Sequence, residues 1–144
     1  MSALFEHSPW VEARTDARPS SGDRHHDLMA VVYDATPEEQ LALIRAHPEL
    51  AGKAAVALTD ASAAEQASAG LDRLSQAEFE RFHALNGAYR EKFGFPFVIC
   101  VRLTDKAGIL AAMERRLAND RDTEIATALD EIGKIVRLRL EAHA

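Results

Sequence analysis

The sequence holds a single cysteine, Cys100, in 144 residues. An internal disulfide is thereby excluded, and because Cys100 sits in an apolar run it reads as an inert buried thiol. With no histidine near it in sequence, it is no activated nucleophile either. Basic residues are outnumbered, 17 Lys and Arg against 23 Asp and Glu, for a net charge of -6. No basic stripe stands out, which argues against a nucleic-acid partner. No run approaches the ~18 apolar residues of a membrane span, so no membrane partner is expected. There is no Gly-rich phosphate loop after a strand and no Cys/His cluster with metal-ligand spacing, so the metal expectation is none. The first residues, Met1-Ser2-Ala3-Leu4-Phe5-Glu6-His7, lack the basic and apolar regions of a signal peptide. The last, Glu141-Ala142-His143-Ala144, carry no peroxisomal tripeptide, and a cytoplasmic location is expected.

What is present is ordinary globular composition, 47% hydrophobic and 28% charged. A single domain over 1–144 is expected, burying roughly two-thirds of its unfolded surface. The periodicity is helical almost throughout. Ser8-Pro9-Trp10 opens a short helix to about 17, with Trp10 as a core plug. A loop at Arg18-Pro19-Ser20-Ser21-Gly22 precedes a helix over 23–34, on which His25 and His26 read as solvated. Thr36, Pro37 and Glu39 then mark a helix start by N-cap, first position and third position. The stretch Thr59 to Gln66 signals another helix start, where Ser62 with Glu65 matches the capping box and Thr59 with Ser62 does so only in part. The longest periodic segment, 75–93, begins at Ser75 with Glu78 and shows Phe79, Phe82, Asn86, Tyr89 and Phe93 on one face. Gly94 ends it as a left-handed cap. Helices over about 105–119 and 122–141 close the chain. The fold class is all-α, with six to eight helices and one extended segment near 95–101.

Three places hold polar groups that packing does not require. His47 follows the helix of 37–46 and precedes Pro48, which cannot continue a helical ladder, so the imidazole is held at a fixed change of direction. The bland role of such a histidine is to cap terminal carbonyls. The second place is the start at Ser62, Glu65 and Gln66, and the third is the extended run after Gly94. A histidine, a carboxylate, an amide and irregular main chain can line one polar pocket, with the carboxylate fixing the imidazole's tautomer and raising its pKa. These features alone favour cofactor-free acid–base work.

Several segments together resemble one family. They are Glu6-His7-Ser8-Pro9-Trp10-Val11, His47-Pro48-Glu49-Leu50-Ala51-Gly52, Ser62-Ala63-Ala64-Glu65-Gln66 and Ala69-Gly70-Leu71-Asp72. Leu85-Asn86-x-x-Tyr89-x-x-Lys92-Phe93-Gly94-Phe95-Pro96-Phe97 and Glu131-Ile132-x-x-Ile135-x-x-Leu138-Arg139-Leu140 continue the match. The family is the 2-oxo-4-hydroxy-4-carboxy-5-ureidoimidazoline (OHCU) decarboxylases of uric acid breakdown. The resemblance implies a compact all-α domain, often dimeric, that makes (S)-allantoin without a cofactor. It implies His47 as the catalytic histidine, with Glu65 assisting, and Pro48 as its substrate-contacting neighbour. Ser62, Ala63, Ala64, Glu65 and Gln66 correspond to the pocket's helix start. Phe97, Val98, Ile99, Cys100 and Val101 correspond to the segment whose main chain holds the substrate. Members usually carry another helix before the Glu6-His7-Ser8-Pro9-Trp10 element, so weaker dimer contacts or core cover are expected; some have a longer stretch at 53–58, so an altered pocket rim is expected. The competing expectation is a non-catalytic helical scaffold of the same fold. A metal-dependent hydrolase is disfavoured by the ligand count.

Overall fold

A computed structural model describes residues 4–5, 7–47, 49–50, 60–71 and 73–142, with the backbone alone for 60–62. The described residues form seven α-helices: α1 (Trp10–Asp16), α2 (Arg24–Asp34), α3 (Pro37–Arg45), α4 (Asp60–Ser68), α5 (Gln76–Phe93), α6 (Lys106–Arg116) and α7 (Arg121–Ala142). A 3₁₀ turn (Val101–Leu103) follows the extended stretch before it. The all-α expectation holds.

Local chemistry sets most of the boundaries. α3 starts with the full capping box, the Thr36 hydroxyl accepting from the Glu39 N–H and the Glu39 carboxylate from the Thr36 N–H. α5 repeats it with Ser75 and Glu78, and ends at Gly94 in the left-handed region (φ 80°) that a side chain would strain. Two expected starts differ. α1 is capped by Pro9 without a side-chain bond, and Ser8 is buried instead. α4 begins at Asp60, so Ser62 lies inside it rather than at its N-cap. The same four letters fit equally well a few residues inside a helix start.

α7 is the central element, packed on α2 and α3. Gly133 allows the closest approach to α2, since a Cβ there would stand 3.1 Å from the Met29 methyl. Its buried face carries Ala128, Leu129, Ile132, Ile135 and Val136. From α5, Phe82, Leu85, Tyr89 and Phe93 enter the core. The extended stretch adds Phe95 and Phe97, set edge-on to Tyr89 at 5.9 and 5.2 Å between centroids. Phe79, expected in that stripe, is only half-buried beside His83. Trp10 is half-buried too, with the Arg14 guanidinium 4.7 Å above its ring, so it covers the core rather than plugging it. His25 is only partly solvated. Its ring lies against α7, with Nε2 2.8 Å from the Gly133 carbonyl and Nδ1 accepting from Arg137.

Phe82→Ala should cost about 3–5 kcal/mol, because Phe82 has no solvent exposure and the site cannot collapse around the loss. Urea denaturation will show it as a lower midpoint. On the surface, the Arg14 guanidinium and the Thr36 N–H hold the Glu39 carboxyl down, from 4.5 to about 2. A depressed carboxylate stabilises the fold fully above pH 4.5 and loses that contribution as pH falls from 4.5 toward 2. Wild type should therefore lose more stability than Glu39→Gln across that window, as melting at stepped pH will show.

Candidate active site

A half-open cavity lies between the end of α3, α4, the extended stretch and α7. It encloses about 430 Å³, mouth included, and is lined by His47, Leu50, Glu65, Gln66, residues 97–102, Ile135 and Arg139.

His47 follows the α3 C-cap, Ala46, and its N–H still donates to the Ile44 carbonyl. The side chain is 6% exposed. Its Nδ1 lies 3.0 Å from the Leu43 carbonyl, and since a carbonyl only accepts, Nδ1 carries the proton. The neutral ring then presents Nε2 as its basic nitrogen. The expected capping role and the expected pocket position thus coexist in one residue.

Glu65 reaches the same cavity from α4, but its carboxylate is gripped by an arginine. Arg139 on α7 donates from Nε and Nη2 to the two Glu65 oxygens, both at 2.8 Å. This is the bidentate geometry that gives a buried ion pair its directionality. Arg139 also donates to the Leu4 carbonyl, tying the start of the described chain to its last helix. Among the described residues no hydrogen bond joins Glu65 to His47.

The wall at 97–101 is irregular main chain with its side chains largely buried. It is anchored by charge. Arg116 donates to the Val98 carbonyl at 2.8 Å and stacks over Phe97 at 4.3 Å. Glu131 accepts from the Cys100 N–H at 2.9 Å. Burial pushes the Cys100 thiol up, and the carboxylates of Glu131 and Glu65 add to the shift, in keeping with an inert thiol. Behind the wall, Glu124 has no exposure and accepts from Tyr89 (2.5 Å), Arg116 (2.8 Å) and Asn119 (2.8 Å). Burial and the Glu124 carboxylate together raise the Tyr89 phenol.

The structure therefore brings together His47, Glu65, Gln66, Phe97, Val98, Ile99, Cys100 and Val101 of the expected set. Ala63 and Ala64 are exposed on α4 and do not belong to the lining. Pro48 and the Ser62 side chain lie outside the described residues. Sequence reasoning missed Leu50, Arg102, Ile135 and Arg139 as lining residues. For Arg139 a signal existed, since it falls on the helical face that also carries Ile132 and Ile135. Among the described residues no three His, Cys, Asp or Glu side chains gather as metal ligands would. No helix of the described residues is long and apolar enough to cross a membrane.

Residues 1–141 match the family described as OHCU decarboxylase. The 2-oxo-4-hydroxy-4-carboxy-5-ureidoimidazoline decarboxylase of Haloferax volcanii is 51% identical over 140 residues, spanning 95% of this chain and 82% of that protein. The uric acid degradation bifunctional protein of Bacillus subtilis is 42% identical over 143 residues, which are 97% of this chain and 28% of that one. A solved (S)-allantoin synthase overlays with a TM-score of 0.71 at 31% identity, covering 97% of this chain and 46% of its own, so this chain spans about half its length. An OHCU decarboxylase solved in the presence of (S)-allantoin has the same fold, with a TM-score of 0.75 at 23% identity over 92% of this chain and 89% of that one. On the family match and the extent of these identities, the chain belongs to the OHCU decarboxylase family.

Proposed function

We propose that this protein decarboxylates 2-oxo-4-hydroxy-4-carboxy-5-ureidoimidazoline to (S)-allantoin, with His47 as general acid–base. The observation that supports it best is a histidine of fixed tautomer in the same cavity as a bidentate Glu65–Arg139 pair, in a chain of this family. The substrate carries its carboxylate on a ring carbon beside a C=N bond. When the bond to CO2 breaks, its electron pair passes into that imine, so the substrate supplies the electron sink and no cofactor is called for. The protein's share is to hold the ring, balance the developing charge and deliver a proton to one face. His47 Nε2 exchanges that proton. Glu65 assists as a fixed negative charge whose direction Arg139 sets. Gln66 and the peptide groups of 97–101 suit a flat ring and ureido arm rich in N–H and C=O, and Pro48 and Ser62 complete the pocket in this reading. The reaction is placed in the cytoplasm. A homodimer, which the family resemblance implies, would cover the groove holding Tyr33 and Leu103, the two large hydrophobic side chains exposed among the described residues.

Freshly made substrate decides the matter: CO2 release above the spontaneous rate, with product of one hand, is the expected result. A spontaneous rate and racemic allantoin would leave the chain a non-catalytic scaffold. His47→Gln should lower the rate ~10²–10⁴-fold. It should cost only about 1 kcal/mol of stability, from the Leu43 carbonyl's lost partner. A folded variant with normal turnover would place the proton elsewhere.

Glu65→Gln leaves Arg139 charged and nearly buried, and should cost about 3–5 kcal/mol. Removing the arginine as well, as Glu65→Gln/Arg139→Met, should recover part of that loss. Urea denaturation of both single variants and the double variant gives the coupling.

A further inference from the structure

Glu131 has no part in the chemistry above, yet it is 9% exposed and its Oε1 accepts a main-chain N–H of the cavity wall. A buried carboxylate is costly unless its oxygens are satisfied. Its other oxygen meets the Lys134 ammonium at 2.5 Å, one turn along α7. Glu131, Ile135 and Arg139 recur every four residues and so share one helical face. Ile135 and Arg139 line the cavity, and Glu131 stands one turn before them.

The wall it touches is pinned twice on the same side. The Val98 carbonyl goes to Arg116 and the Cys100 N–H goes to Glu131. Cys100 is extended, at φ -76° and ψ 95°. In an extended chain the peptide groups of residues i and i+2 face one way and those of i+1 the other. Ile99 lies between the two anchors. It lines the cavity, and among the described residues its N–H and C=O make no hydrogen bond within the protein. Water can satisfy these groups in the half-open cavity, and a ligand that displaces it meets a donor and an acceptor there.

We propose that Glu131 is a positioning residue: by holding the Cys100 N–H it fixes the register of the wall and presents the Ile99 N–H and C=O to an amide- or ureido-type group of the substrate. The inference rests on the decarboxylase reading. Its test uses Glu131→Leu, which removes the acceptor, Glu131→Gln, which keeps a neutral one, and Phe82→Ala as a destabilised control that does not line the cavity. Each is measured for KM and kcat with fresh substrate, for the Kd of (S)-allantoin by calorimetry, and for exchange of the Cys100 amide by NMR.

In Glu131→Leu, KM and the allantoin Kd should rise ~10–10²-fold, the scale of a lost charge-assisted hydrogen bond. The change in kcat should be smaller and the Cys100 amide should exchange faster. Glu131→Gln should recover most of the binding, and Phe82→Ala should leave KM unchanged per folded molecule. If the Leu variant does not fold, the Gln variant carries the test, with a few-fold rise in KM and faster Cys100 exchange. A folded Leu variant with unchanged KM and Kd, or with a protected Cys100 amide, overturns the proposal. An unmoved Gln variant, where that variant carries the test, overturns it too. Wild type that neither turns over substrate nor binds allantoin overturns the decarboxylase reading itself, and the Cys100 amide alone then decides whether Glu131 anchors the wall.

Discussion

Glu124 has no contact with water, and an unpaired carboxylate in that position would cost more than the marginal stability of a domain allows. The surrounding structure is organised to satisfy it. Tyr89 comes from α5, Arg116 from the end of α6, and Asn119 from the turn before α7. Three helices are thereby held in a fixed relation by directional bonds, which apolar packing alone does not supply. The same arginine then reaches forward to the Val98 carbonyl and the Phe97 ring. The position of the cavity wall follows from the position of the buried carboxylate.

α7 repeats the device along its length. Glu131 holds Cys100 and Arg139 holds Glu65, so three charges on one helix secure three different parts of the molecule. The helix serves as core element and as cavity floor together. A polar network of this kind sharpens one arrangement while leaving little tolerance for partial loss, because each member that remains is a buried group without its partner.

Much of the fold was legible because helix boundaries are written locally. Thr36-Pro37-x-Glu39 and Ser75-x-x-Glu78 each state a start within four residues, and Gly94 states a stop. Ser62-x-x-Glu65 uses the same letters and was misleading, since the cap depends on where the backbone turns and α4 had already begun at Asp60. His47 was legible from its proline-bounded position. The partner of Glu65 was not, because Arg139 lies 74 residues away and no local rule spans that distance. Glu124 was overlooked, and Glu131 and Arg139 stood only as motif letters without a role, for a related reason: pattern reading assigns charge to the surface, and only tertiary partners make a buried charge tolerable. His25 failed likewise, its acceptor being a carbonyl on α7.

The Arg139 contacts span nearly the whole described chain, to Leu4 and to Glu65. During synthesis, α1 to α6 are made before the residue that closes the cavity exists. Local helices can form as they emerge, but the floor arrives only with α7. The α7 side of the cavity, Ile135 and Arg139, is thus set in place by contacts with segments made well before it.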